Sequence, residues 1–124
     1  MNFVATSKAP AAIGPYSQAV SLHDFLFCSG QLPLDPKTMK LVGTDIITQA
    51  RQALANLGAV LDGAGLNYWN VIKTTVFLKN MQDFPGMNKA YAEVFGDHKP
   101  ARSTIEVARL PMDALVEIEC IAIG

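Results

Sequence analysis

Arg102 stands in the phrase Pro100-Ala101-Arg102-Ser103-Thr104-Ile105-Glu106-Val107-Ala108-Arg109-Leu110-Pro111, and a second acidic strand-like run, Val116-Glu117-Ile118-Glu119-Cys120, follows it. A guanidinium holds a carboxylate through two parallel hydrogen bonds and stays charged at any working pH, which suits it to clamp a small organic acid. A glutamate on the next strand would then handle protons or water. The same spacing also describes an ordinary Arg–Glu ion pair within the chain, because structural pairs mimic functional ones. The two-residue period of a strand puts Arg102, Thr104 and Glu106 on one face and Ser103, Ile105 and Val107 on the other. The apolar set is expected to face the core, leaving Arg102 on the less buried side, open to a ligand or a partner chain. Glu117 and Glu119 share a face opposite Val116, Ile118 and Cys120, a pattern that a merely solvated face also produces.

Three further positions join this set. Ser29-Gly30 ends an apolar run, where a glycine lets a ligand approach backbone N–H groups; local turn formation explains the pair equally well. Tyr16 places a phenol at a loop tip after Gly14-Pro15, and Asn88 is a weak helix former inside a helical segment. Neither is distinctive alone, since packing and solvation account for such residues elsewhere. The chain has no GxSxG, no phosphate-cradling glycine loop, no HExxH and no Ser/His/Asp or Cys/His arrangement, so covalent and metal-assisted hydrolysis are disfavoured. His23 and His98 lie apart with no ligand spacing around them, and no metal is expected. Cys28 and Cys120 sit in apolar runs and read as reduced core thiols. What remains is chemistry that needs only positioning and water.

The elements that must hold these residues follow from punctuation and period. Asn2 to Thr6 forms a short first strand, and Pro10, Gly14 and Pro15 mark a loop. Ser17 to Leu22 and Phe25 to Gly30 make a hairpin joined at His23-Asp24, its second strand nearly all apolar and expected to be buried. A turn covers Leu34-Asp35-Pro36-Lys37-Thr38. Ile46, Ile47, Ala50, Ala53, Leu54, Leu57, Val60 and Leu61 recur at helical spacing, with Thr44 or Asp45 as cap and Gly63 or Gly65 as stop. Val71 to Leu78 is rich in branched residues and reads as a central strand. A second helix starts at Asp83, tolerates Pro85 in its first turn, buries Met87, Tyr91, Val94 and Phe95, and stops at Gly96. Arg102 to Ala108 and Leu115 to Ile123 are the last strands. The order β-β-β-α-β-α-β-β predicts one α+β domain over residues 1–124, a mixed sheet with two helices on one face, whose other face needs cover from another subunit.

Composition narrows the function classes. Half of the residues are hydrophobic and only 17% are charged, against the usual quarter for soluble domains. Surplus apolar surface again points to association. A net charge of −1, with its cations scattered, gives no electrostatic footprint for nucleic acid. No apolar stretch approaches membrane-spanning length, and the N-terminus lacks a basic start followed by an apolar core, so a cytoplasmic location is expected.

Taken together, Ala11-Ala12-Ile13-Gly14-Pro15-Tyr16-Ser17-Gln18, Ser29-Gly30-Gln31-Leu32-Pro33, Gln49 to Asn56, Val71 to Leu78, Met87-Asn88-Lys89-Ala90-Tyr91 and the Pro100–Pro111 phrase with Glu117-Ile118-Glu119 behind it resemble the RidA (YjgF/YER057c/UK114) family of reactive-intermediate deaminases over nearly the whole chain. The resemblance implies a chorismate-mutase-like fold, a homotrimer with ligand clefts between adjacent subunits, and hydrolysis of 2-iminoacids such as 2-iminobutanoate and 2-iminopropanoate to 2-oxoacids and ammonia, without cofactor or metal. These iminoacids form from enamines that pyridoxal-phosphate dehydratases release. By matching position, Arg102 would clamp the substrate carboxylate with help from the backbone at Ser29 and Gly30. Glu117 would orient or activate water, while Tyr16 and Asn88 line the cleft. Thr104 stands where many relatives carry cysteine, which argues against an essential thiol, and the Gly96-Asp97-His98-Lys99 connection is shorter than in some of them. A 2-oxoacid-binding or regulatory trimer without turnover is the alternative; a ribonuclease or translation inhibitor fits the near-neutral charge poorly.

Overall fold

The computed structural model describes residues Met1–Gly124. Strands β1 (Asn2–Val4), β2 (Ala19–Leu22) and β3 (Phe25–Gln31) lead into helix α1 (Ile46–Gly63). Strand β4 (Val71–Leu78), helix α2 (Phe84–Phe95), β5 (Ala101–Glu106) and β6 (Val116–Ile123) complete the expected order. The strands form a single mixed sheet in the order β1-β2-β3-β6-β4-β5. Only β4 and β5 run parallel. They are the pair joined through a helix, and a parallel neighbour requires such a crossover.

Local signals set the helices. The Asp45 carboxylate accepts the Thr48 backbone N–H at 3.0 Å and starts α1, and Gly65 follows its end with φ +77°, a conformation that glycine adopts without cost. Leu54, Leu57, Val60 and Leu61 of α1 and Met87 of α2 are fully buried against Leu26, Val76, Leu78, Val116 and Ile118 of the sheet. Cys28 and Cys120 are unpaired thiols, buried and opposite each other across β3 and β6. Two buried polar residues on α1 have a separate task. The Asn56 amide donates to the carbonyls of Leu32 and Leu34, both at 2.9 Å. Gln49 donates to the Gly43 carbonyl and accepts the Leu115 N–H at 2.9 Å. Through them α1 holds the loop that leaves β3 and the entry to β6, the two segments on either side of the candidate site.

The other sheet face corrects two expectations. Strand β3 is not buried throughout: Leu26 and Cys28 face the helices, while Phe25 and Phe27 are 40% and 46% exposed on the opposite side. On β5 the apolar residue also points outward, with Ile105 44% exposed beside Phe77. Arg102 and Thr104 occupy the helix side, paired with Thr74 and Val76. The helix-free face thus carries Phe3, Leu22, Phe25, Phe27, Ile105 and Ile123, far more apolar area than a water-facing sheet needs.

Candidate active site

The sheet divides the candidate residues into two groups. The first is built on a bulge. Cys28 pairs with Cys120 and Gln31 with Ile118, so Ser29 and Gly30 together lie opposite the single residue Glu119. A bulge of this kind bends a strand and re-aims its neighbours. Ser29 is fixed by its N–H, which donates to the Gln18 carbonyl at 2.9 Å, and by its hydroxyl, which donates to the Ser17 carbonyl at 2.6 Å. The Glu117 carboxyl lies directly over Gly30: a Cβ there would stand 2.8 Å from Glu117 Cδ and Oε2, closer than packing allows. Gly30 is therefore the residue that makes room for the carboxyl.

Glu117 is half-buried and takes part in neither of the chain's two ion pairs, Arg51–Glu93 and Lys79–Asp113. Burial, and secondarily the nearby charge of Glu119, raise its proton affinity above that of an ordinary carboxylate. Such a group gives and takes a proton more readily near neutrality than a solvated glutamate does. Tyr16, 54% exposed, lines the same cavity, which has a volume of about 650 Å³ and is bounded by Glu117, Glu119, Ser29 and Gly30 together with apolar side chains.

The second group lies across the sheet. The Arg102 guanidinium sits over the Tyr91 ring at 4.7 Å and near the Phe84 ring at 5.4 Å, a cation–π seat that orients it without spending its donors. No carboxylate of the chain pairs with it. Tyr91 is fixed in turn by a 2.8 Å hydrogen bond between its hydroxyl and that of Thr74, and its burial raises the phenol's pKa, so it stays neutral. Asn88, one helical turn before Tyr91, lines a cavity of about 520 Å³ with Arg102. Thr104 Oγ1 is buried on this side with no hydrogen-bond partner.

Arg102 and Glu117 thus do not meet within one chain, contrary to the expectation of neighbouring strands. Strand β4 lies between β5 and β6. Glu117 aligns with Phe77 and so shares the open face with Ile105, whereas Arg102 aligns with Thr74 beneath α2. An intramolecular Arg102–Glu117 pair is excluded by this topology, and each half presents a functional group that nothing in the chain satisfies.

Comparison with known proteins places this arrangement. The sequence model of a family described as Endoribonuclease L-PSP matches residues 6–124. The chain belongs to the RidA/YjgF family. Among RidA/YjgF relatives, a RutC family protein of Pyrococcus horikoshii is 56% identical over 117 residues, covering 94% of this chain and 93% of the relative. A 2-iminobutanoate/2-iminopropanoate deaminase of Salmonella typhimurium is 50% identical over 123 residues, covering 97% and 95%. The crystal structure of TdcF from Escherichia coli, with bound serine, superposes with a TM-score of 0.95 at 42% identity, covering 100% and 99% of the two chains. The six-stranded mixed sheet with two helices is therefore the RidA/YjgF fold.

Several residues around these groups escaped the sequence reading. Tyr91 reads as a core residue from its spacing, yet one face of its ring carries Arg102; its place one turn after Asn88 was the available signal. Gln18 is buried and ties the N-terminal loop to the cavity by donating to the carbonyls of Thr6 and Pro10. Met39 and Met112 also line the Glu117 cavity, the first from a loop and the second from the short turn Pro111–Asp113, and neither position carries a motif.

Proposed function

We propose that this chain is an enamine/imine deaminase that hydrolyses 2-iminoacids such as 2-iminobutanoate and 2-iminopropanoate to 2-oxoacids and ammonia, without cofactor or metal, in the cytoplasm. The observation that carries this reading is the Glu117 carboxyl, half-buried over Gly30, without an ion-pair partner and with raised proton affinity. The name of the Salmonella typhimurium relative supports it.

The active unit is a homotrimer in which the Glu117 half of one subunit meets the Arg102 half of its neighbour. The exposed apolar sheet face supplies the surface for that association, and the split of the two groups within one chain supplies the reason. In the joined cleft Arg102 holds the substrate carboxylate by two hydrogen bonds. The backbone at Gly30, set by the hydrogen bonds that fix Ser29, completes the binding shell with Tyr16, Asn88 and Thr104. With the carboxylate fixed, the C=N carbon faces a water beside Glu117. Glu117 takes a proton from that water as its oxygen bonds to the carbon, and returns the proton to the nitrogen. Glu117 next takes the proton of the adduct's hydroxyl and passes it to the amino nitrogen, so that the C–N bond breaks as the C=O bond forms, releasing ammonia and leaving the 2-oxoacid. Orientation supplies several kcal/mol of such a barrier, by order of magnitude, and proton transfer adds to it.

Two measurements test the reading. A dehydratase acting on threonine or serine generates the imine, and the protein should accelerate its decay; no acceleration refutes the activity. Arg102→Ala and Glu117→Gln proteins, each inactive, should regain activity when unfolded and refolded together, since about a quarter of the clefts in a random trimer would then carry both intact groups. Absence of recovery from a properly assembled mixture refutes the shared cleft. The serine bound to TdcF favours one other reading, a cleft that holds small acids for regulation. Calorimetric binding of 2-oxobutanoate with no imine hydrolysis would select it. The ribonuclease named in the family description gains no support from a net charge of −1, because phosphate backbones are bound chiefly by clustered cations.

A further inference from the structure

The Glu117 cavity carries more apolar lining than a three- or four-carbon acid requires. Besides its polar residues, its lining includes Ile13, Leu32, Leu34, Met39 and Met112, more apolar side chains than one substrate methyl or ethyl group can cover. Two of these residues stand on unusual backbone. Met39 has φ +60° and Met112 has φ +58°, the left-handed region in which glycine is at ease and a side chain is strained. Retained strain at non-glycine positions marks places where the surrounding structure fixes a conformation, and such places cluster at ligand sites.

The loops do not depend on the methionine side chains. Around Met39, the Asp35 carboxylate accepts the Lys37 N–H at 2.8 Å and the Asp35 carbonyl accepts the Met39 N–H at 2.8 Å. Next to Met112, Asp113 is anchored by Lys79 at 2.9 Å. The two thioethers are thus presented into the cavity by backbone that is held independently. Methionine is unbranched and polarizable, a wall that adapts to apolar groups of varied shape.

We propose that Met39 and Met112 form the side-chain pocket of the cleft and make the protein prefer 2-iminoacids with extended apolar side chains to those with three or four carbons. The inference rests on the deaminase reading. Glu119, exposed in the cavity lining, adds a sign: acidic side chains are repelled.

The experiment compares kcat/KM for imines made by an amino-acid oxidase from leucine, methionine, alanine and aspartate. The six-carbon apolar imine should exceed the three-carbon one about tenfold, the value of one or two well-packed methylenes, and the acidic imine should be the poorest. A Met39→Gly/Met112→Gly protein should lose most of the long-to-short ratio without a fall in melting temperature, because glycine accepts both backbone conformations; Met112→Leu should keep the ratio. A flat chain-length profile in the native protein, or a ratio that the glycine substitutions leave unchanged, overturns the proposal while imine hydrolysis itself stands. If no imine is hydrolysed faster, the deaminase reading fails with it. The pocket is then judged by calorimetry, where equal affinity for pyruvate and 4-methyl-2-oxopentanoate overturns it as well.

Discussion

The two halves of the site are prepared in opposite ways. Around Arg102 the protein uses packing: aromatic rings seat a guanidinium whose five donors remain available, and Thr74 locks the supporting Tyr91. Around Glu117 it uses desolvation and backbone irregularity: a bulge, a glycine that clears space, and a carboxyl held where its ionised form is disfavoured. The first half offers unspent donors suited to recognise an anion. The second half holds a carboxyl whose raised proton affinity suits proton transfer. Each is costly in an isolated chain, since an unsatisfied charge and a half-buried acid both lack compensation. In the proposed trimer that cost is recovered where the halves share a ligand, so one sheet would separate functions that assembly reunites.

The sharpest way to break the comparison is at Glu117. Glu117→Gln keeps the shape but cannot take a proton, and kcat should fall about 10³-fold in the coupled assay with KM little changed. Activity of the native protein should also rise with pH through the elevated pKa of Glu117, above the ordinary carboxylate range, and the glutamine protein should lose that limb. Stability runs the other way. The native state holds protons more tightly at Glu117 than the unfolded chain does, so this group's contribution is fully favourable below its ordinary pKa of 4.5 and is lost as pH rises through the raised value. Glu117→Gln should therefore melt higher than the native protein at neutral pH, with the gap closing in acid; a lower melting temperature at pH 7 would contradict the desolvation argument.

Arg102 should fail differently. Arg102→Ala should lower kcat/KM about 10²–10³-fold, and Arg102→Lys should recover little, because a point charge cannot reproduce the bidentate fork. If lysine restores more than a tenth of the native value, Arg102 acts by charge alone and the aromatic seat has no geometric purpose.

What the sequence made legible, and what it did not, follows the same division. Asp45, Gly96 and the helical stripes were readable because caps and periods act over a few residues. The grouping of Arg102 with Thr104 and of Glu117 with Glu119 was also readable, since alternation along a strand is geometric. Which group faces the helices was not. Ile105, Phe25 and Phe27 are apolar yet lie on the helix-free face, and apolar character signals the core only when all burial occurs inside one chain. The insertion of β4 between β5 and β6 is a long-range pairing without a local signature, and together with the opposite facing of the two residues it keeps Arg102 and Glu117 apart within the chain. The roles of individual site residues came from the family resemblance; geometry along the strands supplied only their neighbours.

Gly30 tests how finely the Glu117 half is set. Gly30→Ala would place a methyl 2.8 Å from the Glu117 carboxyl, displacing it by a fraction of an ångström or more. A misplacement on that scale costs up to about 10²-fold in rate. The Arg102 half is untouched, so 2-oxobutanoate should still bind within a few-fold of its native affinity. Equal losses of binding and turnover would show that the bulge serves ligand capture rather than proton transfer.

Thr104 gives the smallest effect and separates the halves most finely. Its hydroxyl is buried without a partner, a defect that costs about 1–3 kcal/mol when left unsatisfied. Thr104→Val keeps the shape and removes the defect, so the ligand-free protein should melt about 3–5 °C higher. If the hydroxyl is reserved for the ligand that Arg102 clamps, 2-oxobutanoate should raise the melting temperature of the valine protein less than that of the native one. A valine protein that melts no higher without ligand would mean that the hydroxyl is already satisfied in the ligand-free protein and is not held in reserve for the ligand.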